Sequence, residues 1–96
     1  MAKRKPKPKP AASRVLRQLK AATIDAHREW FTSNEEAYGP FGPLRCAWRD
    51  ASDAWVSAQA AVRGLTDPEA RIVALMTCEN PKVREAAMLA TAQEVA

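Results

Sequence analysis

Residues 44–64 have the sequence LRCAWRDASDAWVSAQAAVRG, and this stretch decides the fold. Its apolar residues recur at intervals of four, three, four, three and four, the heptad spacing of a helix that packs along one side against a partner helix. Flanking alanines allow a close approach of that partner, and Gly64 is suited to end the helix. The pattern predicts a helix over residues 44–63 with the seam Leu44, Trp48, Ala51, Trp55, Ala58 and Val62.

A second long helix is predicted before it. Residues 38–43, YGPFGP, contain two Gly-Pro steps, which neither a helix nor a central strand tolerates, so they predict a tight corner. Upstream, Ser13 is a favourable N-cap, and the apolar residues of 14–31 cover about half of a helix circumference. We expect this helix over residues 13–37. Because large apolar residues are few, the expected core anchors are Trp30, Trp48 and Trp55.

Two short helices follow, each opened by a capping residue and a proline. Thr66 or Asp67 followed by Pro68 predicts a helix to about Glu79, and Asn80-Pro81 predicts another to the end of the sequence. Short connections favour antiparallel neighbours. The sequence therefore predicts an all-α fold: a small helical bundle of about four helices, two long and two short, in one domain over residues 13–96.

The basic residues are concentrated at one end of the sequence. Residues 1–24 carry eight Lys or Arg and no acidic residue, whereas the remainder carries seven basic and eleven acidic residues. In residues 2–12, AKRKPKPKPAA, proline disfavours a helix and the lysines repel one another, so residues 1–12 are expected to form a disordered basic tail. This asymmetry points to a polyanionic partner.

The residue types that carry catalysis or bind metals are sparse and share no motif. His27 is the one histidine, and Cys46 and Cys78 lie far apart, so neither a nucleophile–base pair nor a zinc spacing is present. Asp25 and Glu29 are interpreted as a solvated helix surface. No enzyme activity, cofactor or metal is expected. The sequence has no apolar run of about 18 residues and no signal sequence, so we expect a cytoplasmic protein with no membrane partner. It would be nucleoid-associated in a bacterium, or nuclear if the source is a eukaryote.

The leading functional hypothesis is a non-enzymatic nucleic-acid-associated protein, such as a small regulatory or packaging component of a bacterium or phage. It would bind the phosphate backbone of DNA or RNA without reading sequence. The alternative is a helical protein-interaction or assembly module, homo-oligomeric through apolar surface on the two long helices, with a tail that only solubilises. A weaker hypothesis is base recognition by the last two helices. The predicted nucleic-acid-binding residues are Lys3, Arg4, Lys5, Lys7, Lys9, Arg14, Arg17, Lys20 and Arg28.

Overall fold

The computed structural model of the chain describes residues 10–33 and 42–95. These residues form four α-helices and contain no strand, so the all-α bundle with two long and two short helices is confirmed. The helices are α1 (Ala11–Thr32), α2 (Pro43–Val62), α3 (Pro68–Met76) and α4 (Pro81–Val95).

The two long helices form an antiparallel pair, and the short helices pack against one side of it. Trp30 near the end of α1 stacks on Trp48 near the start of α2, with 5.2 Å between ring centroids. At the opposite end of α1, an Nη2 of Arg14 lies 3.4 Å from the Ala90 carbonyl oxygen of α4. The last turns of α4 therefore lie beside the first turn of α1.

The core is built mainly from small side chains. The largest fully buried side chains are Leu75, Val15 and Val83, one from each of three helices. Val62 and six alanines complete the buried set, and the alanines let the helix backbones approach closely. The buried alanines are Ala11, Ala12, Ala54, Ala58, Ala87 and Ala90.

Local capping explains where the later helices begin. The Asp67 carboxylate accepts a hydrogen bond from the Ala70 backbone N–H at 2.9 Å, and Asn80 Oδ1 accepts one from the Lys82 N–H at 3.0 Å. Each cap satisfies an amide that has no partner within its own helix. Gly64, after α2, has a φ of +78°, which lies in the left-handed region that glycine occupies without steric cost.

Several helix bounds differ from the sequence prediction. α1 begins at Ala11, so the two alanines expected in the tail belong to the bundle, and it ends at Thr32 instead of residue 37. The Ser33 hydroxyl donates to the Trp30 carbonyl oxygen at 2.7 Å, which satisfies one of the last carbonyls of α1. α3 ends at Met76 and not at residue 79, because the chain must leave the helix before Asn80 can cap α4. The expected disordered segment up to residue 9 and the corner at residues 38–41 lie outside the described residues.

The expectation that the three tryptophans anchor the core is wrong. Trp30, Trp48 and Trp55 are each half-buried, and none belongs to the buried set. The close, alanine-mediated contact between helices leaves no room for an indole in the centre. The rings lie along the α1–α2 contact instead, each covered on one side by the neighbouring helix.

Replacement of Leu75 by alanine tests this account of the core. Leu75 is completely buried, so Leu75→Ala should lower the free energy of unfolding by about 2–5 kcal/mol, a large share of the stability of so small a domain. The matched control is Leu89→Ala, since Leu89 is 59% exposed and should lose less than about 0.5 kcal/mol. Urea denaturation followed by circular dichroism measures both, and equal losses would contradict the assignment of the core.

Candidate nucleic-acid interface

Three of the predicted binding residues lie on the exposed side of α1. Arg17, Lys20 and Arg28 are all exposed. At about 100° per residue, the two arginines point away from the buried residues Val15 and Thr23. The predicted binding residues of the tail lie outside the described residues; they are Lys3, Arg4, Lys5, Lys7 and Lys9.

Arg14 differs from this group. The sequence placed it on the outer side of the first helix, but its side chain is half-buried and an Nη2 donates to the Ala90 carbonyl oxygen at 3.4 Å. A guanidinium beside the carbonyls near the end of a helix is favourable both as a donor and through the helix dipole. In this position Arg14 holds α4 against α1.

α2 contributes three further cations that the sequence analysis did not select. Arg49 and Arg63 are exposed and Arg45 is half-buried. All three point about 140–180° away from Ala58, at the centre of the buried side of α2. Arg49 makes one ion pair, with Asp50 at 3.7 Å, and both side chains are largely exposed, so this pair contributes little.

The cations of the two helices lie on the same side of the α1–α2 pair. The guanidinium carbon of Arg45, on α2, lies 4.8 Å from the centroid of the Trp30 ring of α1. In the other direction, Lys20 Nζ on α1 lies 6.0 Å from the centroid of the Trp55 ring of α2. We call this surface the basic face; its residues are Arg17, Lys20, Arg28, Arg45, Arg49 and Arg63.

The acidic residues of the long helices lie on the flanks nearer α4. Asp25 follows Arg14 by eleven residues, about three turns, and therefore shares the side of α1 that contacts α4. Asp50 and Asp53 of α2 line a small surface pocket together with Asn80, Pro81 and Lys82 at the start of α4. Charge is therefore partly separated across the α1–α2 pair. The cations lie outward, and carboxylates border them on the flank nearer α4, where Asp50 pairs with Arg49.

A group of rings borders the basic face where α1 ends and α2 begins. His27 meets Trp48 edge to face with centroids 4.5 Å apart, and it lies 6.0 Å from the centroids of both Trp30 and Phe31. The guanidinium carbon of Arg45 lies 4.4 Å from the centroid of the Trp48 ring, so a cation packs on two indoles at once. We call the four rings of His27, Trp30, Phe31 and Trp48 the aromatic cluster.

Three further arrangements were considered from the sequence: a metal site, a membrane span and base recognition by the last two helices. Within residues 10–33 and 42–95, no three His, Cys, Asp or Glu residues are grouped so that they could hold a metal ion. In the same part of the chain, no helix is both long and apolar enough to cross a membrane. Arg84 lies in the first turn of α4, one of the two helices considered for base recognition. Its Nη1 donates to the carbonyl oxygens of Cys78 and Glu79 at 3.0 and 3.2 Å and so stabilises the turn before α4.

Comparison with known proteins adds no assignment: neither a protein-family model, nor a curated protein, nor a solved structure matches this chain. The function is therefore inferred from the basic face and the aromatic cluster.

Removing the charge of Arg45 tests whether its contact with the indoles stabilises the cluster. Arg45→Met keeps an apolar stem but loses two cation–π contacts, so the free energy of unfolding should fall by about 1 kcal/mol. Arg49→Met is the matched control on the same helix, and its exposed ion pair predicts a change below about 0.5 kcal/mol. Urea unfolding monitored by tryptophan fluorescence compares the two, and a smaller loss for Arg45→Met than for the control would refute the contact's importance.

Proposed function

We propose that this protein is a non-enzymatic nucleic-acid-associated protein that binds the phosphate backbone without sequence preference. Its contacts would come from two sources, the cations of residues 3–9 and the basic face of the α1–α2 pair. Lys and Arg side chains displace condensed counterions from nucleic acid, and this release supplies most of the affinity of nonspecific binding.

The observation that carries the proposal is the separation of charge across the long helices. The six cations of the basic face are contributed by both helices, while Asp25, Asp50 and Asp53 lie on the flanks nearer α4. A charged surface that only kept the protein in solution would gain nothing from this separation. A phosphate backbone favours it, because carboxylates at the border of the cations, such as Asp50 beside Arg49, repel phosphates less than carboxylates at the centre would.

Helix α1 begins with residues that continue directly from the tail. Pro10 precedes α1, and the Arg14 backbone N–H donates to the Pro10 carbonyl oxygen at 3.1 Å. The cations of residues 3–9 are therefore tethered to the first turn of the helix that carries Arg17 and Lys20. Tail and basic face can act on one continuous polyanion.

The tail's contribution is tested by replacing Lys3, Arg4, Lys5, Lys7 and Lys9 with glutamine in the full chain. Binding to a generic duplex should weaken, and the slope of log K against log salt should become shallower by as much as about 4.5, since each of the five neutralised phosphates contributes about 0.9. Fluorescence anisotropy across a salt series measures this. If the unaltered chain binds neither duplex nor single strand at about 50 mM salt, the proposed function is wrong.

The basic face is tested by a pair of single substitutions that change net charge equally. Arg28→Gln should weaken duplex binding severalfold and reduce the salt slope by about 0.9. Lys82→Gln removes an exposed cation beside Asp50 and Asp53, on α4, and should leave both quantities unchanged. If the two variants lose affinity equally, binding follows net charge and the basic face has no special part in it.

A second candidate function, a protein-interaction or assembly module, is favoured by the outer surface of α4. Met88 and Leu89 are each 59% exposed, and a helix with apolar residues on several sides usually has them covered. Light scattering over a range of concentrations tests self-assembly. A dimer that Leu89→Glu converts to a monomer would support this function, whereas a monomer at every concentration would exclude the homo-oligomeric form.

A further inference from the structure

The last turn of α1 presents an aromatic ring to solvent within the basic face. Phe31 is 68% exposed, the highest value among the exposed large apolar side chains of the described residues. Arg28 lies three residues before it and shares its side of the helix, since residues three and four apart are neighbours on a helix surface. Exposing an apolar ring to water costs free energy. An exposed ring beside a cation is complementary to a ligand that is both flat and anionic.

A second exposed ring, that of His27, lies beside Phe31. His27, one turn earlier and also exposed, lies 6.0 Å from Phe31 with only 26° between the two ring planes. His27 is itself held by Trp48, which meets it edge to face at 4.5 Å. Trp48 in turn stacks on Trp30, so the exposed pair is supported by two half-buried indoles.

Cations lie on both sides of this exposed pair. Arg28 precedes Phe31 on α1, and Arg45 of α2 packs over the rings of Trp30 and Trp48. Two acidic residues of α1 are near in sequence. Glu29 points about 160° away from both His27 and Phe31, and Asp25, one turn before Arg28, points about 160° from His27 and about 120° from Phe31. The surroundings therefore attract phosphate while the rings offer a flat apolar surface.

These features distinguish between the forms of nucleic acid. In a duplex the base faces are stacked on one another and unavailable to a protein side chain, and only phosphates and groove edges can be contacted. In a single strand each base has a free face, and stacking on a protein ring contributes substantially to binding without regard to sequence. Duplex binding alone would leave the exposed rings of Phe31 and His27 without a contact.

We propose that His27 and Phe31 form a stacking site for an unpaired base, so that the preferred ligand is single-stranded DNA or RNA. This inference rests on the proposed function, because the phosphates of that strand would be held by the basic face. Arg28 would pair with the phosphate next to the stacked base. The strand would then follow α1 toward Lys20 and Arg17.

The test compares a fluorescent 20-nucleotide oligothymidine with a 20-base-pair duplex, using the full chain. Phe31→Ala should weaken oligothymidine binding by roughly five- to a hundredfold, the range given by losing one stacked base. Duplex affinity should change less than twofold, and the salt slope should be unchanged for both ligands because no charge is altered. Phe31→Tyr should retain the affinity of the original chain.

Ile24→Ala is the matched control, since Ile24 lies seven residues before Phe31 on the same side of α1 and is 47% exposed but offers no ring. It should bind oligothymidine as the original chain does. If Phe31→Ala binds oligothymidine unchanged, or loses single-strand and duplex affinity equally, the stacking site is wrong while the proposed function stands. If the original chain binds neither ligand, the proposed function and this inference fail together.

Discussion

The close approach of the helices through alanine is the constraint on which the rest of the structure depends. Side chains such as Ala12, Ala54 and Ala58 allow α1 and α2 to lie near one another, with Val15 among them as the one large fully buried side chain of the two long helices. A core of this kind gains from dispersion at short range and removes little apolar area from water. Any large ring on these two helices must therefore lie outside the centre of the α1–α2 contact.

The position of the tryptophans follows directly from this constraint. Their rings lie along the edge of the α1–α2 contact, half-covered, where cationic side chains from the neighbouring helix reach them. Since a cation gains energy over an indole face, Lys20 and Arg45 are drawn toward the aromatic residues. The core therefore determines where the aromatic rings lie, and these rings help to set the position of the charge.

Local signals explain why so much of the fold could be predicted. The start of α3 at Pro68, the start of α4 at Pro81 and the left-handed Gly64 depend on interactions within a few residues, and the sequence shows them directly. The positions of Arg14 and the tryptophans depend on which helices pack together, which a wheel drawn for one helix cannot show. For the same reason Arg45 and Arg63 were not among the residues predicted to bind nucleic acid.

The contact between Arg14 and the Ala90 carbonyl has a consequence for the footprint on a polymer. It marks the end of the bundle at which α1 begins. Phe31 lies twenty residues after Ala11, the first residue of α1, and therefore about 30 Å along the helix axis. Nine fully extended residues reach at most about 30 Å beyond that point. A ligand that touched both the aromatic ring and the first lysines would therefore extend over at most about 60 Å. Because the tail is tethered to the same helix as the ring, a strand that reached both would be held as a single bivalent attachment.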